Sequence, residues 1–212
     1  MESHPQNLVV LSHPLIRIKM TELRDHRTRH GRFRSLLSEI AGLMVYECTR
    51  DLDTHPVTVQ TPLESCDGCR LTAPITVIPI LRAGLGMTNG ILNLMPEARV
   101  GHIGLYRDDE TLDVHQYYAK FPPSAPEGRV FLVDPMLATG ASAVAAVNLL
   151  QEAGCRDIKL ICLVAAPEGV QAMIDAHPET MIYTAALDRG LNELGYILPG
   201  LGDAGDRIFG TV

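Results

Sequence analysis

The chain has 212 residues, 46% of them hydrophobic and 20% charged, the balance of an ordinary globular domain rather than a disordered segment. A formal charge of −7 at pH 7 argues against general binding to nucleic acid or anionic membranes, although a local basic patch could still hold an anionic substrate. No apolar run approaches the roughly 18 residues of a membrane-spanning helix, Met1 to Pro5 does not read as a signal peptide, and five cysteines are too few and too scattered for a disulfide framework, so a reducing cytoplasm is the expected setting.

Taken in order, His13-Pro-Leu-Ile-Arg-Ile reads as a short extended piece. Residues 24–34, Arg-Asp-His-Arg-Thr-Arg-His-Gly-Arg-Phe-Arg, are the most basic run in the chain. Such a run suits a solvated helix start, a rim for a diphosphate, or a subunit contact. Phe33, Leu36, Leu37, Ile40, Ala41 and Met44 then repeat at helical spacing and predict one amphipathic helix. Residues 56–71 predict a small β-arm with Cys66-Asp-Gly-Cys69 in its turn. That lone C-x-x-C has no second pair or histidine partner for zinc and no strand-to-helix setting for redox chemistry.

Residues 75–81 are a strand that runs into Arg82-Ala-Gly-Leu-Gly-Met87 and a helix reaching toward Leu94, closed by Pro96. An arginine at such a mouth offers a planar fork of donors to phosphate oxygens. A further strand over 98–106 leads to Arg107-Asp-Asp-Glu-Thr, and from there to Pro126 the chain is polar with little periodicity, as in a functional loop. The central stretch is Arg129-Val-Phe-Leu-Val-Asp-Pro-Met-Leu-Ala-Thr-Gly-Ala-Ser142. Its apolar run suits a strand buried on both faces, ended by Asp134, which is expected to seek water, and by Pro135, which offers no ladder donor. Thr139, Gly140 and Ser142 open a helix over 143–153 with Gly154 as its stop. Strand, small hydroxyl-rich loop and helix together present free N–H groups and a positive dipole end to a phosphate. No G-x-x-x-x-G-K-S/T is present at this point, which excludes a nucleoside-triphosphatase P-loop there. Strands over 158–166 and 181–187 flank a helix that begins at Pro167. Strands alternating with helices over 73–187 imply an α/β fold with a parallel sheet and ligands at the carboxyl ends of its strands.

Gly200, Gly202 and Gly205 in the tail spell G-x-G-x-x-G, but a dinucleotide fingerprint needs a full helix after it and an acidic partner about 20 residues on. Six glycines from residue 188 onward suit backbone held close to a small planar ligand instead.

Four motifs in register, Arg82-Ala-Gly-Leu-Gly-Met87, Tyr106-Arg107, Val133-Asp-Pro-Met-Leu-Ala-Thr-Gly140 and Tyr196-Ile-Leu-Pro-Gly-Leu-Gly-Asp-Ala-Gly-Asp206, resemble the uracil phosphoribosyltransferase family. The resemblance implies a single phosphoribosyltransferase domain: a core about 72–187, an N-terminal helical and β-arm region 1–71, and a glycine-rich base-binding hood 188–212. It implies transfer of the phosphoribosyl group from 5-phosphoribosyl 1-diphosphate (PRPP) to uracil, giving UMP and diphosphate. It assigns the 5′-phosphate and ribose to Asp134, Pro135, Met136, Leu137, Ala138, Thr139, Gly140, Ala141 and Ser142. Arg82 and Arg107 are assigned to the diphosphate, with Asp203 close to PRPP. Uracil falls to Ile197 and to the backbone of Gly202, Asp203 and Ala204. Arg82, Arg107, Asp134 and Asp203 form the catalytic set, and the segment after Arg107 resembles a loop that closes over the site. Mg²⁺ is expected on substrate oxygens, near Asp203 and without a dedicated protein cage. A homo-oligomer, a possible GTP effector, and neither nucleic acid nor membrane as partner are also implied. A PRPP- or nucleotide-sensing regulator on the same fold is the alternative. Two features depart from the family pattern: Ala141 stands where a second glycine is usual, harmless if helical, and the turn holding Cys66 and Cys69 looks lineage-specific, with no role assigned.

Overall fold

The computed structural model describes residues 5–107 and 114–211. The N-terminal region runs β1 (Leu8–Val10), α1 (Pro14–Arg24), α2 (His30–Cys48) and the hairpin β2 (Thr54–Gln60) and β3 (Ser65–Leu71). The core follows with β4 (Ile75–Leu81), α3 (Leu85–Leu94), β5 (Arg99–Val100), β6 (His102–Arg107), β7 (Val114–Lys120), β8 (Arg129–Val133), β9 (Met136–Leu137), α4 (Ala141–Glu152), β10 (Ile158–Ala165), α5 (Pro167–Ala176) and β11 (Met181–Leu187). The tail holds β12 (Gly190–Leu191), β13 (Ile197–Leu198) and α6 (Ala204–Phe209).

The main sheet has the order β1-β11-β10-β8-β4-β6-β7, with β5 beside β4 and β9 beside β10. Among the described residues only the β6–β7 pair in it is antiparallel, the others being parallel. Helices cover both faces, which is why the central strands are apolar in unbroken runs. Along β8, Phe131 and Val133 face α1, α2, α3 and the tail, while Val130 and Leu132 face α4 and α5. The α/β architecture with a mainly parallel sheet is the one expected.

Three local expectations are corrected. Residues 14–24 form a helix rather than an extended piece. Pro14 sits at the first helical position, where its fixed φ fits, the His13 ring accepts the Leu15 N–H at 3.2 Å, and Ile16, Met20 and Leu23 bury one face. The extended piece is β1, which lies earlier and pairs in parallel with β11. Cys66 and Cys69 lie within β3, not in the turn. The turn is at 61–64, where the Thr61 hydroxyl accepts the N–H groups of Leu63 and Glu64. Three residues apart in a strand, the two exposed thiols point to opposite faces. Finally, residues 114–120 are a strand paired with β6 rather than loop. This strand is exposed along nearly all its length, so it lacks the alternation that marks a strand in sequence. Gly104 leaves room for the Tyr117 ring, which would lie 2.5 Å from a Cβ there. The rest of the expected closing loop, residues 108–113, lies outside the described residues.

Lys159 is a cation inside an otherwise apolar strand, 3% exposed. Its ammonium donates to the Cys48 carbonyl at the end of α2 and to Asp51 at 2.6 Å, so it caps a helix C-terminus from the sheet. Helix α2 packs closely on α3, and a Cβ on Gly90 would strike the Ser38 carbonyl. Gly90→Ala is therefore expected to cost about 1–3 kcal/mol of unfolding free energy in denaturant titration. Gly31→Ala, a helical position with open space around it, should be neutral or stabilise by up to about 1 kcal/mol.

Candidate active site

Two strand-to-helix junctions lie side by side, because β4 and β8 pair in parallel with Pro79 opposite Val133. After β4 the chain turns through Arg82, the Leu81–Arg82 peptide being cis, into α3. Gly84 in this turn touches the end of β8: a Cβ would come 2.5 Å from the Val133 carbonyl and 2.7 Å from that of Ile80. Only a glycine lets the two junctions share a wall.

After β8 the chain is threaded back along β10. The Asp134 N–H donates to Ile161, the Pro135 carbonyl accepts from Leu163 and Val164, and the Leu137 carbonyl accepts from Ala166. Gly140 then turns with φ +86 and caps α4, and a Cβ there would lie 2.8 Å from Ala172 and 2.9 Å from the Gly169 carbonyl. Ala141 is the first helical residue, so the left-handed position belongs to Gly140 and the extra Cβ of Ala141 carries no backbone strain. The first bond of the helix runs from Val144 to Gly140, leaving the N–H groups of Ala141, Ser142 and Ala143 without helical acceptors. They adjoin a cavity of about 80 Å³ lined by Asp134, Met136, Thr139, Gly140 and Ser142 among others. A void of that size, polar and at a helix N-terminus, suits a single phosphate group.

Asp134 behaves differently from the expectation of a solvated strand end. Its carboxyl faces the cavity but is largely desolvated, and burial pushes its pKa up to about 7. A long 3.4 Å bond from the Met136 N–H opposes that shift only weakly.

The tail closes over these junctions. Hairpin β12–β13 is held by the Leu191 N–H on the Glu168 carboxylate at 3.0 Å. The Leu198–Pro199 peptide is cis, and Gly200 and Gly202 have φ of +63 and +79. Asp203 caps α6 by accepting the Asp206 N–H at 2.8 Å. Asp203 and Arg82 flank Gly205, and the Arg82 guanidinium stands 5.6 Å from the centre of the Phe209 ring. The structure thus brings Arg82, the 134–142 loop and the 202–204 backbone to one end of the sheet. Ile197 is buried as a whole residue, 4% exposed, and packs in the core, while Gly202 and Asp203 of the 202–204 stretch are exposed. The side chain of Arg107, at the end of β6, lies outside the described residues. The last glycine of G-x-G-x-x-G, Gly205, lies inside a helix of only six residues, so no full helix follows the motif as a dinucleotide fingerprint requires.

The basic run acquires a role not anticipated from sequence. Arg24 pairs with Asp188, Arg34 donates to the Ile208 carbonyl, and Arg207 of the tail reaches back to the Asp25 carbonyl while lying 4.4 Å over Phe33. Arg27 and Arg32 make exposed pairs with Asp25 and Glu22. The inner arginines therefore fasten the tail, and no local sequence signal marks partners 164 residues apart.

Two adjacent strand-to-helix junctions at the carboxyl ends of a parallel sheet, under a glycine-rich tail, are the arrangement of a phosphoribosyltransferase. A solved adenine phosphoribosyltransferase from Trypanosoma brucei has the same fold, with a TM-score of 0.61 at 14% identity over 96% of this chain and 90% of that one. The sequence profile described as uracil phosphoribosyltransferase matches residues 10–211, and the chain belongs to that family. Uracil phosphoribosyltransferases from Staphylococcus epidermidis and Dictyoglomus turgidum are 54% and 53% identical to it, covering 95% and 96% of this chain and 97% and 99% of theirs. A solved protein from Aquifex aeolicus superposes with a TM-score of 0.92 at 36% identity, covering 96% of this chain and 98% of that one.

The Asp134 carboxyl gives a pH test. With its folded pKa near 7 above an ordinary value of 3.8, its contribution to stability is fully present below the lower value and is lost as pH rises through the upper one. Asp134→Asn should therefore gain progressively on wild type as pH rises between those values and keep a constant advantage, on the order of 2 kcal/mol, above the upper one, in denaturant unfolding followed against pH.

Proposed function

We propose that this protein transfers the phosphoribosyl group of PRPP to uracil, forming UMP and releasing diphosphate. The observation that carries the reading is the shared wall at Gly84, which sets an arginine-mouthed junction beside a phosphate-sized cavity. PRPP carries an anion at each end and fits two such seats. The 5′-phosphate takes the N–H groups that open α4, with the hydroxyls of Thr139 and Ser142 beside them. The ionised Asp134 accepts from ribose hydroxyls. Arg82 meets the departing diphosphate, with Arg107 as its expected partner.

Uracil N1 forms the bond to ribose C1 as the C1–oxygen bond to diphosphate breaks, the electron pair leaving with the diphosphate. Positive charge develops on the sugar as in glycosyl transfer generally, and a fixed cation beside the leaving group lowers that barrier. The N1 proton passes to the Asp203 carboxylate in this reading, and the 202–204 backbone pairs with the base's carbonyl and N–H edges. Single carboxylates such as Asp203 suit Mg²⁺ that arrives on the diphosphate and keeps most of its waters. Among the described residues no group of three or more acidic, histidine or cysteine side chains forms a dedicated cage. The ion would supply charge neutralisation on the diphosphate oxygens.

A homo-oligomer is part of the proposal. The β2–β3 arm stands out with Leu63 94% exposed, and Tyr46 and Leu94 are exposed beside an apolar groove between α2 and α3. Sedimentation should give at least a dimer, and a purely monomeric mass at micromolar concentration would remove this part.

The assay is UMP and diphosphate formation from uracil and PRPP with Mg²⁺, with cytosine, orotate and hypoxanthine giving no product. Asn still caps a helix, so Asp203→Asn separates capping from proton acceptance. It should lower turnover by about 10²-fold or more, and unchanged turnover would sink the proton role.

A further inference from the structure

Asp188 directly follows β11, and its side chain is only 6% exposed. Its Oδ1 accepts from Arg24 Nη2 at 2.7 Å. Its Oδ2 accepts from Arg24 Nη1 at 2.8 Å and from the Gly200 N–H, also at 2.8 Å. Arg24 Nη1 donates a further bond, 2.7 Å long, to the Gly200 carbonyl. One ion pair thus takes up both backbone groups of a single glycine. That glycine is in the left-handed region, follows the cis peptide at 198–199, and stands two residues before the 202–204 backbone. The other ends of the clasp are fixed: α1, which ends at Arg24, buries Ile16, Met20 and Leu23 in the core, and Asp188 is tied by its N–H to the Ala165 carbonyl of the sheet.

We infer that Arg24 and Asp188 are positioning residues for the base, setting where the 202–204 backbone stands relative to the two anion seats. The inference rests on the proposed reading of the tail as the uracil reader. Neither residue lines the phosphate cavity. A partly buried ion pair is also a poor device for stability alone, since well-packed apolar residues usually serve as well or better. What apolar residues cannot do is hold the N–H and C=O of Gly200 at once. A backbone reader has no side chain to adjust, so a displacement of about 1 Å in its peptide groups is felt directly in binding and rate.

The test is steady-state kinetics on Asp188→Asn, Arg24→Ala and Arg24→Lys, each first shown to be folded by its thermal transition. KM for uracil should rise about tenfold or more in Asp188→Asn and Arg24→Ala, KM for PRPP should stay within about twofold, and Arg24→Lys should recover part of the loss. Hydrogen exchange in the unliganded proteins should accelerate about tenfold or more over 197–206 and stay unchanged over 75–81. Folded variants with both KM values unchanged, or with a lowered transition and equal losses toward both substrates, overturn the positioning role. If only Arg24→Lys folds, its own KM split and exchange decide the matter in the same way. Wild-type protein that makes no UMP overturns the function, and unchanged exchange over 197–206 in the variants then overturns the clasp independently.

Discussion

The parallel pairing of β4 with β8 is the constraint on which the rest depends. Residues 75–79 and 129–133 lie in register, so two turns that are about fifty residues apart in sequence open at the same level of the sheet. Each strand is buried on both faces, and the hydrophobic effect acting on Ile78, Phe131 and Leu132 fixes the register without any polar instruction. A slip of one residue would turn every core side chain to the opposite face and part the two cradles. The chemistry at the strand ends is thus positioned by groups that never touch a ligand.

The tail is held by other means. From residue 188 onward the buried apolar groups are few, chiefly Ile197, Leu201, Ala204 and Ile208. Polar bonds supply the rest: Arg24 and Arg34 of the N-terminal helices donate to the Gly200 and Ile208 carbonyls, and Arg207 of the tail donates to the Asp25 carbonyl and, within the tail, to that of Leu201. Charge-assisted bonds to backbone are directional, whereas apolar contacts tolerate sliding. A segment proposed to present peptide groups in a set orientation therefore gains more from arginines than from additional core.

Much of this was legible in the sequence, and the unread parts share a cause. The runs that became β4, β8, β10 and β11 were plain because a strand covered on both faces has no choice but to be apolar. The turn from β8 into α4 was plain because Thr139-Gly140 and the helix after it make one local unit. Helix α1 was missed because a proline beside isoleucines reads as extended until His13 is seen to cap it. Strand β7 was missed because it is exposed almost throughout, so no period of two survives. The desolvation of Asp134, the capping by Lys159 and the grip of Arg24 on Gly200 depend on partners far away in the chain, and no window of sequence contains both members.

Gly84 packed against the carbonyl of Val133 has a consequence for how such a protein can change. The interval between the two proposed anion seats is set where backbone meets backbone at Gly84, with no side chain at that contact to lengthen or shorten. Donor geometry is in that sense hard-wired into the sheet. The surface proposed to meet the base lies on a separate stretch, fastened from the opposite end of the chain. Variation in that stretch can retune which acceptor is taken without disturbing how the donor is measured, so one gauge can serve a succession of readers.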